Sequence, residues 1–282
     1  MKKVGLLALA LFVAVFSFAQ DAADKINQAN EALQAQDYAK AFGLYDDAMK
    51  NLGDVQVDAS INYNIGYAAY KAEEMDAALD YFDKAIEVDA NVSKSYEYKA
   101  LIYSDKDQHD KAVENFEKAI ETAEEADPSL EYKAAIAAYR GGMLDKAVEL
   151  FGKAVDGGYN AETAQYYKAV ALNKLGKDDE YKAALVAGAE KFPTDDKITS
   201  SLAKIYVSEA NSLYKKGAAV LTAANEQVNA GTIKTTDDAY KTELSKAQDI
   251  FREAIVVLEK AKKLDASNAN IQTLMDACNA VL

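Results

Sequence analysis

Along most of this chain apolar residues return at intervals of three and four, the spacing that gathers them on one side of a helix. The clearest stretch is DAALDYFDKAIEVDA, residues 76–90, in which Ala78, Phe82 and Ala85 share a face. The same small–aromatic–small set recurs as Ala41/Tyr45/Ala48, Ala112/Phe116/Ala119 and Ala147/Phe151/Ala154. The leading alanines, Ala41, Ala78, Ala112 and Ala147, are separated by 37, 34 and 35 residues. Self-similarity at a period near 34 predicts stacked two-helix hairpins, none of which can bury its apolar face alone. Small residues let a neighbouring helix come close, and the ring fills the space between.

The pattern predicts a first hairpin over about Asp21 to Lys50, turning at Gln36-Asp37-Tyr38, and a second that opens at Ser60. A third covers Ser93 to Thr122. The fourth starts at Asp127-Pro128, an N-cap followed by proline in the first helical position, and leaves at Gly157-Gly158. A fifth, Asn160 to Pro193, has Tyr181 and Gly188 where the two alanines belong, so a different packing is expected there. Beyond Thr194 the period breaks, and the triplet returns only as Ala254/Leu258/Ala261. The space between accommodates one hairpin with long arms joined at Asn229 to Asp237, each arm about 45 Å at 1.5 Å per residue. A last helix over Asn268 to Ala280 is expected to cap the array.

The residues Gly66, Tyr70 (one place late), Ala78, Phe82 and Ala85 follow the signature of the tetratricopeptide repeat family, and Asp89-Ala90 stands where that family usually has Asp-Pro. The chain therefore resembles that family. The resemblance implies an all-α fold, a right-handed solenoid of stacked antiparallel helix hairpins, here ending in the long-armed hairpin and the capping helix. The expected division is 1–19, 20–193 for about five hairpins, and 194–282 for the remainder.

Composition agrees with an all-helical chain, since half the residues are apolar and only two of 282 are proline. The formal net charge of −14 argues against binding nucleic acid or anionic lipid by bulk electrostatics. At the amino terminus Lys2 and Lys3 precede an apolar run from Val4 to Phe16, then Ser17-Phe18-Ala19. This is the layout of a signal peptide cleaved before Gln20, with a run too short to span a bilayer comfortably. An exported protein is expected, in the periplasm, the cell envelope or the medium, with no membrane insertion after cleavage.

Catalytic chemistry has little to work with. The single histidine, His109, lies in Asp107-Gln108-His109-Asp110 and reads as a solvated turn residue; the single cysteine, Cys278, reads as a packed thiol. A calcium loop from Asp105 fails, because its sixth residue is Asp110 and its twelfth Phe116. Neither an enzyme nor a cofactor is expected.

The family resemblance implies that the first helix of each hairpin lines a concave groove for a protein or peptide. Those helices carry Tyr63, Tyr67, Tyr70, Tyr98, Tyr132 and Tyr139, and tyrosine combines contact area with a hydroxyl at low entropy cost. Some members clamp a peptide carboxylate from places that correspond to Ile26, Asn30, Asn64, Lys94 and Tyr98. Asn30, Asn64 and Lys94 match; without the other two cations most of a charge-assisted grip is lost. The expected function is thus a scaffold with a tyrosine-lined groove. The alternative is a structural subunit of an envelope assembly that makes its contacts through the long hairpin.

Overall fold

The computed structural model describes residues 17–52 and 56–282. Among them are thirteen helices and no strand. The chain divides into two compact units, Met1–Tyr159 and Asn160–Leu282.

The first unit holds four hairpins: α1 (Ser17–Gln34) with α2 (Tyr38–Lys50), α3 (Ile61–Lys71) with α4 (Met75–Glu87), α5 (Val92–Asp105) with α6 (His109–Glu121), and α7 (Pro128–Arg140) with α8 (Leu144–Asp156). Each hairpin packs on the next, α2 on α3, α4 on α5 and α6 on α7. The four recurrent triplets lie on the second helices α2, α4, α6 and α8, and none of their twelve residues is more than 1% exposed. Opposite them, one small position per first helix is also buried: Ala29, Gly66, Ala100 and Ala135. Gly66 shows why. A Cβ there would sit 2.9 Å from Cδ1 of Phe82, so the ring lies directly on the α3 backbone.

The inner turns close alike. The N–H groups of Asp37, Glu74, Gln108 and Met143 donate to the carbonyls of Ala32, Ala69, Tyr103 and Ala138 at 2.8–2.9 Å. Each bond spans a residue with positive φ: Gln36 (62°), Glu73 (65°), Asp107 (55°) and Gly142 (77°). The left-handed residue ends the first helix, satisfies its last carbonyls and reverses the chain. Three of the four are not glycine, at a cost on the order of 1 kcal/mol each, which the closed turn and the packing behind it offset.

The second unit contains α9 (Ala161–Lys174), α10 (Asp178–Lys191), α11 (Asp196–Asn229), α12 (Asp238–Leu264) and α13 (Ala269–Asn279). In the α9/α10 hairpin Tyr181 is only half-buried, whereas Leu185 and Gly188 occupy the ring and second small positions and are buried. Glycine is required at 188 for closeness, since a Cβ would come within 3.0 Å of both Gln165 and Ile198. The Gln165 side chain donates to the Ala184 carbonyl at 2.6 Å, which ties the two helices.

The long hairpin changes the rule of packing. Buried Ala203, Ala210, Gly217 and Ala224 on α11 are seven residues apart, as are Ala247, Ala254 and Ala261 on α12. A seven-residue repeat on facing antiparallel helices is the pattern of a coiled coil. Phe251 crosses to Gly217, where a Cβ would meet its ring at 3.1 Å. The α3/α4 device is thus reused at greater length. Helix α13 covers the end of this pair with Ile271 and Cys278, both buried in one core with Phe251, Leu258 and Ala261.

Three expectations are adjusted. Tyr38 does not belong to the first turn but opens α2, because Asp37 caps that helix by accepting from the Lys40 N–H at 3.3 Å. His109 is not a solvated turn residue. It begins α6 with its side chain 17% exposed, beneath the next hairpin's turn, where Gly141 leaves room for it. Helix α1 starts at Ser17, within the expected signal segment; residues 1–16 of that segment lie outside the described residues.

Phe82→Ala removes a wholly buried ring wedged between two hairpins. We expect it to cost about 3–5 kcal/mol, measured as a fall in the denaturation midpoint at unchanged slope. A loss below roughly 1 kcal/mol would place the ring outside the core.

Candidate functional site

Helices α3 and α5, the first helices of the second and third hairpins, touch directly. Their shared face is aromatic. Tyr98 of α5 stacks flat on Phe82, with centroids 5.4 Å apart and an interplanar angle of 7°. Around Tyr98 stand three α3 rings, Tyr63 at 6.4 Å, Tyr67 at 5.4 Å and Tyr70 at 5.1 Å, all tilted against it. Tyr38 extends the group from α2, meeting Tyr67 edge-on at 5.9 Å. Tilted and edge-to-face pairs at such separations are each worth about 0.5–1.5 kcal/mol beyond the area they bury. The cluster therefore packs two hairpins together and still presents half-buried rings to solvent.

The rings divide by role. Tyr63 and Tyr98 rest on Phe82 and belong to the interface. Tyr38, Tyr67 and Tyr70 form the rim. Lys71 sets its ammonium over that rim, 5.9, 5.8 and 6.0 Å from the centroids of Tyr38, Tyr67 and Tyr70. Ala69, next to Tyr70, takes the buried inter-helix position instead, which turns Tyr70 outward.

The remaining sequence candidates do not join this cluster. Asn30 accepts a 2.6 Å hydrogen bond from the Tyr45 hydroxyl, so its amide oxygen serves the first hairpin. Lys94 pairs with Glu97 at 2.7 Å, and Glu97 also takes Lys133 of α7 at 2.6 Å. Glu97 is only 7% exposed, and its two lysines compensate a charge that would otherwise be costly to bury. Asn64 is half-buried on α3. Tyr132 belongs to a second, smaller group, edge-on to Phe151 at 6.1 Å and to Tyr159 at 5.7 Å. Tyr139 is half-buried in the last turn of α7.

Burial raises the pKa of the Tyr98 and Tyr63 phenols well above the ordinary tyrosine range. Tyr67 is pushed up to about 12, by burial first and then by its hydrogen bond with Tyr38. Tyr70 rises through burial and the nearby Asp105 and Glu97 carboxylates.

Tyr38, Lys71 and Glu97 were not singled out from sequence. Charge also distributes unevenly: residues 1–159 hold 29 acidic against 16 basic residues, a net −13, whereas residues 160–282 hold 17 against 16, a net −1. Nearly all of the net negative charge is on the unit that carries the tyrosine cluster. In the second unit, α11 and α13 border an open groove of about 430 Å³ whose apolar lining includes Val207, Tyr214 and Leu274. Among the described residues no cluster of potential metal ligands occurs, and no helix is long and apolar enough to cross a membrane.

Sequence models described as tetratricopeptide repeat match residues 26–93 and 132–185, and another of the same description matches residues 93–125. No curated protein matches. Among solved structures, the C-terminal part of a TPR repeat-containing protein from Cytophaga hutchinsonii is similar in fold, with a TM-score of 0.50 and 14% identity over 90% of this chain and 87% of that one. A tetratricopeptide repeat protein from Parabacteroides merdae aligns at 15% identity and a TM-score of 0.48, over 92% and 99% of the two chains. A TPR repeats protein from Bacteroides fragilis aligns at 23% identity and a TM-score of 0.40, over 93% and 99%.

Phenol groups that ionise late in the folded state make stability depend on alkaline pH. The unfolded chain releases its tyrosine protons near pH 10, so stability is full below that value and is lost as pH rises through the folded values. We expect phenolate absorbance to grow in two stages, the ordinary tyrosine range near pH 10 first and the buried Tyr63 and Tyr98 only at more alkaline pH or with unfolding. Tyr63→Phe with Tyr98→Phe should shrink the second stage. Ionisation of all 18 tyrosines in one step near pH 10 with the helices intact would contradict the burial described.

Proposed function

The chain belongs to the tetratricopeptide repeat family, and from that premise we propose that it is a non-catalytic scaffold whose α3/α5 face docks an extended segment of a protein partner. The observation that carries this reading is the tyrosine rim on α3 and α5. Core packing needs Tyr63 and Tyr98 against Phe82, but it does not need three further rings half in water. Tyrosines held by their neighbours lose little entropy on contact and offer both a face and a hydroxyl. Asn64 lies on the same helix, and its amide can both donate to and accept from a ligand backbone.

The amino-terminal Lys2-Lys3, apolar run and Ser17-Phe18-Ala19 support export, so the partner is sought in the cell envelope. A second reading assigns the main contact to the long α11/α12 hairpin. Val256 on α12, 54% exposed, favours it, as does the groove between α11 and α13.

One capture experiment from envelope extract addresses both readings. The isolated bait should begin at Gln20. The Tyr63→Ala/Asn64→Ala/Tyr67→Ala variant should lose the partner that the parent protein retains, while deletion of residues 218–245 leaves capture intact. Capture by the triple variant equal to the parent's, with loss on the deletion, would move the function to the long hairpin.

A further inference from the structure

The rim tyrosines already hold a cation. Lys71 makes no ion pair among the described residues; its ammonium stands instead about 6 Å from three ring centroids at once. Elsewhere Lys84 lies over the single ring of Tyr81 at 4.5 Å and Lys111 over that of Tyr103 at 5.3 Å. The negative faces of aromatic rings attract cations, the more so when several converge and water is partly excluded. One rim ring, Tyr70, also feels the Asp105 carboxylate, which adds to the negative potential there; Glu97 lies near it too, but Lys94 and Lys133 already compensate its charge. The unit that carries these rings has a net charge of −13, and a surplus of that sign attracts basic partners.

We propose that the Tyr38–Tyr67–Tyr70 rim takes the lysine or arginine side chains of a basic, extended polypeptide, and that Lys71 is the built-in occupant that such a side chain displaces. The proposal rests on the α3/α5 docking reading and assigns its partner a chemistry. It gives Lys71 a definite effect: the Tyr67 and Tyr70 rings are held by their contacts with Tyr98, and the lysine only competes with the incoming charge, so removing it strengthens binding. Electrostatic complementarity of this sort sets selectivity and the rate of encounter more than raw affinity.

The test uses three labelled hexapeptides, alternating Gly-Arg, Gly-Ser and Gly-Glu, each carrying a photo-crosslinker, titrated by fluorescence anisotropy against the full chain. We expect the arginine peptide to bind most tightly and to crosslink to α3 and α5. Tyr67→Leu with Tyr70→Leu keeps the net charge and apolar bulk, and should weaken that peptide about fivefold or more. Tyr67→Phe with Tyr70→Phe keeps the rings and should bind as the parent does, which separates ring chemistry from a folding defect. Lys71→Gln should tighten binding about threefold or more, by removing a competing cation. Equal labelling of α3 and α5 by all three peptides would overturn the cation assignment and leave the docking face standing. Arginine-peptide binding unchanged by the leucine pair would reduce the effect to general surface attraction and also overturn it. If no peptide labels α3 or α5, the docking reading itself falls, and the proposal with it.

Discussion

The structure depends on how closely one helix can approach another when the facing residue has almost no side chain. In the second hairpin Gly66 lets Phe82 lie against the α3 backbone; in the long hairpin Gly217 does the same for Phe251. Alanines flanking each ring, Ala78 and Ala85 in one case, Ala247 and Ala254 in the other, are all wholly buried. Close approach multiplies dispersion contacts that are individually about 0.1–0.2 kcal/mol. Repetition then supplies stability, since each hairpin leaves an apolar face that the next must cover.

The tyrosine face is a consequence of the same arrangement. Because Phe82 is drawn in so far, Tyr98 of the following hairpin can stack flat upon it, and Tyr63 can lean on both. The stacked pair fixes where Tyr67 and Tyr70 stand, and Lys71 follows them by one residue of helix. A rim of rings positioned in this way costs little further ordering when a ligand arrives, which is the advantage of a preorganised surface. In the proposed docking reading, the acidic surplus of the same unit favours a cationic ligand.

Much of this was legible in the residues themselves. The triplets, their spacing and the Asp127-Pro128 start report local helix chemistry, so α4, α6, α7 and α8 lie where periodicity predicts them. The α11/α12 turn between Asn229 and Asp238 was equally plain, being rich in residues that break helices. Features made by contacts across hairpins were not legible. His109 is covered because Gly141, 32 residues later, leaves space above it. Asn30 is engaged by Tyr45 from the facing helix, and Lys94 by a Glu97 that Lys133 also holds. Tyr63, Tyr67, Tyr70 and Tyr98 were named with Tyr132 and Tyr139 as first-helix tyrosines through the family resemblance; that the first four touch was not legible. Tyr38 was not among them, since it joins from a third helix. The charge imbalance is written in the sequence, but it takes meaning only once the break after Tyr159 is known.

The central claim is that ring and backbone are in contact at Gly66, and a single substitution makes that claim and ordinary helix propensity disagree in sign. Leucine is a far better helix former than glycine, so Gly66→Leu in an unobstructed helix should raise stability by about 0.5–1 kcal/mol. Contact with Phe82 instead predicts overpacking and a loss of about 1–3 kcal/mol, read as a lower midpoint in chemical denaturation. A midpoint that rises on this substitution would mean that the two helices do not interlock as described.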